Sequence, residues 1–275
     1  MNYPKSCIAV LWDDDLQSEN ALLHAIRLAE KSSFSIVLLR VIKKRRFLES
    51  IRSFESFVES ETLVLKQKVE LLSEKHSTPI GMHMLKGNIK RCIKDFLESS
   101  RCALIVSPEH VVLNKGIKVN VLKEFSKYGA IEIPIMIATT APRTEFSTIE
   151  VVVPMEYQSE FKDTIEWVIH FSRKYGCNFD FVRPVVSATL PQKDLMNNIY
   201  FTKQVLDANE VVYGIKTANK ENNFIDDVYD FADDINANYI LSTTLSYSAY
   251  RKNERFQQYP FICVNPQKRR YATFN

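Results

Sequence analysis

One rhythm restricts what this chain can fold into. Short apolar runs rich in β-branched residues alternate with longer stripes of helical period, and after residue 140 the alternation starts again. Antiparallel neighbours can be joined by a two-residue turn, whereas parallel neighbours need a crossover of about a dozen residues or more. A helix between successive strands therefore predicts parallel sheets with crossover helices. The first half reads as strands over 7–12, 35–42, 80–85, 103–107 and 131–139, with helices over 17–31, 47–76, 88–99 and 119–128. In the helix over 17–31, Ala21, Leu22, Ala25, Leu28 and Ala29 share one face. The second half reads as strands over 148–155, 178–186, 211–216, 239–243 and 261–264, with helices over 159–175, 194–208 and 224–235.

The two halves also correspond residue by residue. An offset of 143 carries Asp13 onto Glu156, Ala21 onto Thr164 and Leu39-Arg40 onto Val182-Arg183. A second offset, 136, carries Ile89 onto Ile225, Ile93 onto Tyr229 and Leu104-Ile105 onto Ile240-Leu241. Ile133-Pro134-Ile135-Met136-Ile137 likewise answers to Tyr259-Pro260-Phe261-Ile262-Cys263. Two registers, each covering several elements, mark an internal duplication. The domains expected are 1–142 and 147–275.

Composition removes several classes. With 45% apolar and 11% aromatic residues the chain can bury real cores, so disorder and fibrous scaffolds are excluded. A net charge of +3 gives no general attraction to nucleic acid or to anionic lipid. The five cysteines include no C-x-x-C pair, which argues against structural zinc and a disulfide framework; they read as small buried hydrophobes. The apolar run near the amino terminus is too short for a signal peptide, and none approaches the roughly 20 residues that span a bilayer. A cytoplasmic protein without membrane or nucleic-acid partners is expected.

The ordered motifs resemble the universal stress protein family in a tandem form. Where the family has V-P-x-D and then A-x-x-x-A, this chain has Val10-Leu11-Trp12-Asp13 followed by Ala21 and Ala25, and Val153-Pro154-Met155-Glu156 in its second half. Leu38-Leu39-Arg40-Val41, Lys86-Gly87-Asn88-Ile89 and Leu104-Ile105-Val106 follow in the family's order. The resemblance implies α/β architecture: two open five-stranded parallel sheets in the order 3-2-1-4-5, of the adenine nucleotide alpha hydrolase-like type. It further implies an intramolecular pseudo-dimer paired through the last strand of each half, whose unpaired edges invite association. A homodimer is compatible with the same device.

In such a sheet ligands sit at the carboxyl ends of the strands, where the strand order reverses. Asp13, Arg40, Val41 and Ser107 are the ligand-binding candidates of the first half, with Glu156, Pro184 and Thr243 as second-half counterparts. ATP-binding relatives carry G-x-x-G and a later G-S or G-T after strand four, because glycines let backbone amides approach phosphate. Here the segment reads Pro108-Glu109-His110-Val111-Val112-Leu113-Asn114-Lys115-Gly116, and in the second half Thr244-Leu245-Ser246-Tyr247-Ser248. Both loops are degenerate, so no cofactor is expected. Only 15 residues separate Thr244 from Pro260, which predicts a truncated fourth helix in the second half.

The remaining constellations read as structural. Asp13-Asp14-Asp15 reads as a strand-to-helix loop with one aspartate at the helix start, not as a metal site. No histidine pair has H-x-x-x-H spacing, no G-x-S-x-G elbow is present, and His110 reads as a loop histidine. Of the basic runs Lys43-Lys44-Arg45-Arg46 and Lys268-Arg269-Arg270, the first lacks an aromatic stacking platform on strands and is followed at once by Glu49, Glu55, Glu59 and Glu61. Lys86, Lys90 and Lys94 form a basic stripe that Asn222, Asp226, Asp230 and Asp234 replace by an acidic one; solvated faces are expected, a partner-orienting role being the sharper reading.

The sequence thus points to a non-catalytic, stress-associated regulatory or interaction protein with an unknown protein partner. The alternative is a small-molecule or adenine-nucleotide sensor using the first crevice. Asp13 is the residue type the family sets beside the ribose, while Glu156 is longer and Pro184 removes a backbone donor. On this reading Asp13→Ala weakens ligand binding in calorimetry and Glu156→Ala is nearly silent.

Overall fold

A computed structural model describes residues 6–43, 51–113, 116–126, 131–143, 148–219 and 223–265. The chain divides into two compact units, Met1–Ala141 and Pro142–Asn275.

The first unit contains β1 (Cys7–Leu11), α1 (Leu16–Ser32), β2 (Ser35–Ile42), α2 (Ile51–His76), β3 (Ile80–Lys86), α3 (Ile89–Ser99) and β4 (Cys102–Ser107). A hairpin of β5 (His110–Leu113) and β6 (Ile117–Asn120) follows, then α4 (Val121–Ser126) and β7 (Ile135–Ile137). Five strands pair in parallel in the order β7-β4-β1-β2-β3, the expected 3-2-1-4-5 arrangement. The central strand is covered on both faces, so Ile8, Ala9, Val10 and Leu11 are all apolar and wholly buried instead of alternating with polar residues. Ala21 and Ala25, also wholly buried, let α1 lie close against the sheet.

Local signals set the helix ends. The Asp15 carboxylate accepts from Leu16 N at 2.7 Å and starts α1. Before α3, Gly87 takes φ 133°, a region open to glycine but rarely to other residues, and its N–H donates to Ile42 O at 2.8 Å. Asn88 then caps the helix by accepting from Lys90 N and Arg91 N at 3.0 and 3.3 Å.

Two expectations are corrected here. Residues 119 and 120, expected to be helical, belong to β6, and α4 begins only at Val121. The last strand is confined to Ile135–Ile137. Residues 44–50, 127–128 and 268–270, which include most of both basic runs, lie outside the described residues.

The second unit contains β8 (Ile149–Pro154), α5 (Phe161–Tyr175), β9 (Cys177–Arg183), α6 (Thr189–Ala208), β10 (Tyr213–Thr217) and α7 (Phe224–Asp234). It continues with β11 (Tyr239–Thr243), a single helical turn α8 (Tyr247–Tyr250), a 3-10 turn (Glu254–Gln258) and β12 (Phe261–Val264). The strand order β10-β9-β8-β11-β12 repeats that of the first unit.

Where a full fourth helix would cover the sheet, this unit packs aromatic rings. Tyr247, Tyr250 and Phe256 lie with their centroids 5.3–5.8 Å from that of Phe261, and Tyr229 on α7 sits 6.0 Å from Tyr259. Rings at such separations add about 0.5–1.5 kcal/mol per pair beyond the area they bury. The acidic stripe of α7 fastens the same segment: Arg255 pairs with Asp230 and Asp233, the Tyr259 hydroxyl donates to Asp233, and Asn253 donates to Asp226 at 2.6 Å. Asp230 and Asp234 stay exposed, as expected of a solvated face, while Asp226 and Asp230 also engage groups within the unit.

His24, on the buried side of α1, contacts Thr140 O through Nε2 at 2.9 Å and is 1% exposed. Burial pushes its pKa down to about 4, more than the Thr140 carbonyl raises it. Below pH about 6.5 the unfolded chain takes up a proton that the folded unit refuses, so stability falls as pH drops toward 4. The loss for this one group is on the order of 3 kcal/mol. Urea denaturation between pH 7 and 4 should show this decline, and His24→Gln should flatten it.

Candidate functional site

In the first unit the strand order reverses between β1 and β4, and the loop leaving β1 is fully organised. Asp14 adopts φ 66°, accepts from Trp12 Nε1 at 2.7 Å and pairs with Arg40, which also meets Glu61 Oε2 at 3.0 Å. Asp13 accepts from the Ser18 hydroxyl on α1, from Asp15 N at 3.2 Å and from Val112 N of the hairpin at 2.6 Å. Val41 is buried, and the buried Ser107 hydroxyl donates to Pro108 O at 2.8 Å. Each of the four candidates of the first crevice is thus placed near the sheet's carboxyl edge, and Asp13, Arg40 and Ser107 are held by groups of the chain itself.

A hairpin follows β4 at the same end of the sheet. Val111 and Leu113 point inward and are buried, Val112 points outward, and the register runs from His110 opposite Asn120 to Leu113 opposite Ile117. Gly116, with φ 74°, supplies the left-handed position that a three-residue hairpin connection calls for. Glu109 enters this hairpin, accepting from Asn120 Nδ2 at 3.3 Å, with His110 Nδ1 3.7 Å from its carboxylate. The hairpin ladder takes up part of the backbone here, and the Val112 N–H outside it donates to Asp13.

The second crevice is open. A cavity of about 380 Å³ lies at the carboxyl ends of β8 and β11, walled by Met155, Tyr157, Pro184, Ile225, Leu245 and Tyr250. Glu156 and Glu160 also line it, and none of the described lining residues is cationic. The loop carrying Glu156 is pinned by Asn198, whose buried amide on α6 donates to Glu156 O and Gln158 O at 2.8 and 2.9 Å. Thr243 donates its hydroxyl to Glu156 Oε1 at 3.0 Å and shares a hydrogen bond with Ser246 at 2.9 Å. Burial raises the Glu156 pKa, with Glu160 adding to the rise, and the Ser246 and Thr243 hydroxyls only partly oppose it. Glu156, Thr243 and Pro184, matched to the first crevice from sequence, do converge on one site. Asn198 and the Asp13–Val112 contact were missed, because neither has a local pattern.

The two crevices differ in what they leave available. In the first, its hydrogen-bonding groups are already taken up; in the second, two carboxylates face the space. Like unit charges 4 Å apart repel by on the order of 4 kcal/mol at an effective dielectric of 20. The fold and the position of the site define the class: a doubly wound α/β protein, used twice, with its crevices at the strand-order reversal.

Residues 7–113 match the model of the universal stress protein family. The sequence match covers most of the first unit, and the likeness of fold extends over nearly the whole length. A universal stress protein from Archaeoglobus fulgidus DSM 4304 superposes with a TM-score of 0.68, covering 96% of this chain and 100% of that one at 13% identity. The universal stress protein UspA from Lactobacillus plantarum covers 50% of this chain and 99% of its own, with a TM-score of 0.40 and 16% identity. A universal stress protein in complex with cAMP covers 43% of this chain and 98% of its own, with a TM-score of 0.32 and 10% identity. No curated protein matches the chain by sequence.

Asp13→Asn removes the charge that holds Val112 N–H and Ser18. A hydrogen bond to a charged group contributes about 1.5–3 kcal/mol, so the first unit should lose stability in that range. In hydrogen exchange the Val112 amide should lose protection while amides of β1 keep theirs.

Proposed function

We propose that this protein is a regulatory or interaction protein of the universal stress type, acting without catalysis and without bound ATP. The observation that supports this most is the Val112 N–H donating to Asp13, which ties the family's ligand-facing carboxylate to the chain's own hairpin. No nucleophile, base and oxyanion donor converge in either crevice among the described residues, and a protein partner is the natural recipient of a scaffold without a nucleotide. The sharing of edge strands within the chain, a homodimer and a cytoplasmic location belong to the same proposal. Among the described residues no helix is long and apolar enough to cross a membrane.

A second reading, a small-molecule sensor, draws support from the cavity beside Glu156. The sequence favoured the first crevice for this role; the pairing of Arg40 with Asp14 and Glu61 gives reason to reverse the order. Apolar walls with a half-buried carboxylate suit a neutral or cationic ligand that has an apolar body and one hydrogen-bond donor.

Isothermal calorimetry of the full chain with Mg-ATP, AMP and cAMP tests the first reading. Binding weaker than about 1 mM is expected for all three; micromolar ATP binding would overturn it. For the second reading, a panel of aromatic amines is screened by thermal shift. Any stabilising hit should be lost in Glu156→Gln and kept in Asp13→Asn, and the opposite ranking would return the site to the first crevice.

A further inference from the structure

At the amino ends of its strands, away from its crevice, the first unit brings two cysteines together. Cys7 opens β1, Cys102 opens β4, and the parallel ladder makes them direct partners. Paired residues on neighbouring strands lie about 4.8 Å apart and send their side chains to the same face. That spacing falls within the roughly 4.4–6.8 Å between Cα atoms that a disulfide bridges. The register shifts between Cys7 and Ile8, so the ladder is already irregular at this point. Cys7 N donates to Arg101 O at 3.0 Å, and Cys102 Sγ lies 3.3 Å from Leu104 O, which fixes both residues.

The two side chains also hydrogen-bond to each other, which lowers the pKa of Cys7 and raises that of Cys102. Cys7 is buried and Cys102 is part-exposed as a residue. The other cysteines sit elsewhere: Cys92 is on α3, and on the ladders Cys177 stands opposite Ile149 and Cys263 opposite Ser242.

We propose that Cys7 and Cys102 are a reversible redox pair that hydrogen peroxide closes into an intrachain disulfide joining β1 to β4. The Cys7 thiolate attacks one peroxide oxygen, the O–O bond breaks, and with one proton the departing oxygen leaves as water. Cys7 is then a sulfenic acid. The Cys102 sulfur attacks the Cys7 sulfur, the S–O bond breaks, and the Cys102 proton leaves with the oxygen as a second water. Two thiols are oxidised by two electrons and one peroxide is reduced to two waters. A dithiol reductant reverses the bond by exchange. The resulting link clamps the two central strands of the unit while leaving the crevice at their other ends untouched.

The test treats the full chain with hydrogen peroxide at low protein concentration, alkylates free thiols under denaturing conditions and reads the intact mass. Loss of two alkylatable thiols out of five is expected, with full recovery after dithiothreitol. A peptide map should link the Cys7 peptide to the Cys102 peptide. Cys102→Ala, a change at a part-exposed site, should keep its circular dichroism spectrum and form no intrachain bridge. Retention of all five thiols, a bridge to Cys92, Cys177 or Cys263, a bridge between chains, or an intrachain bridge in Cys102→Ala would overturn the proposal. Reading the bond directly by mass keeps this result separate from whether either crevice binds a ligand.

Discussion

The Asp13 carboxylate holds three segments at once: the end of β1 through its own backbone, the first turn of α1 through Ser18, and the hairpin through Val112. In an open parallel sheet, the loop after the first strand is where a ligand would meet the protein. Here that carboxylate is satisfied from within, and the residues on either side follow. Asp14 turns into the left-handed region to meet Arg40 and Trp12, and Asp15 begins α1. Three adjacent acids that could have repelled one another are each given a different donor. The first crevice is consequently braced by the chain's own groups.

The second unit solves the same covering problem with different chemistry. Its fourth helix is reduced to one turn, so burial comes from Tyr247, Tyr250, Phe256 and Phe261, and the α7 carboxylates reach Arg255 and Tyr259 across the gap. Because α8 is so short, the space beside Glu156 stays open. The two halves therefore share a strand order while differing in what their crevices offer: one filled by a hairpin, the other walled by apolar groups around a carboxylate.

The strands and most helices were legible in the sequence, because buried parallel strands read as unbroken apolar runs and helices as periodic stripes, whereas the strand order was implied by the family resemblance. The strands over 35–42, 239–243 and 261–264 have the bounds expected of them. The hairpin was missed although Val111-Val112-Leu113 and Ile117-Lys118-Val119 flank a glycine-containing turn, a pattern that does signal a hairpin. Charge periodicity identified the acidic face of α7 but not its partner, since Arg255 lies 25 residues from Asp230 and nothing local connects them. Asn198 reaches back 42 residues to hold the Glu156 loop, a contact that sequence alone does not encode.

The central claim is that both halves keep the scaffold while giving up the phosphates. Mass spectrometry of the freshly purified full chain, denatured to release anything bound, tests it most directly. The account predicts no ATP, AMP or other adenine nucleotide above trace amounts. Stoichiometric ATP or AMP would contradict it, because a nucleotide could be accommodated only if the hairpin left Asp13 or the carboxylates of the second crevice were neutralised.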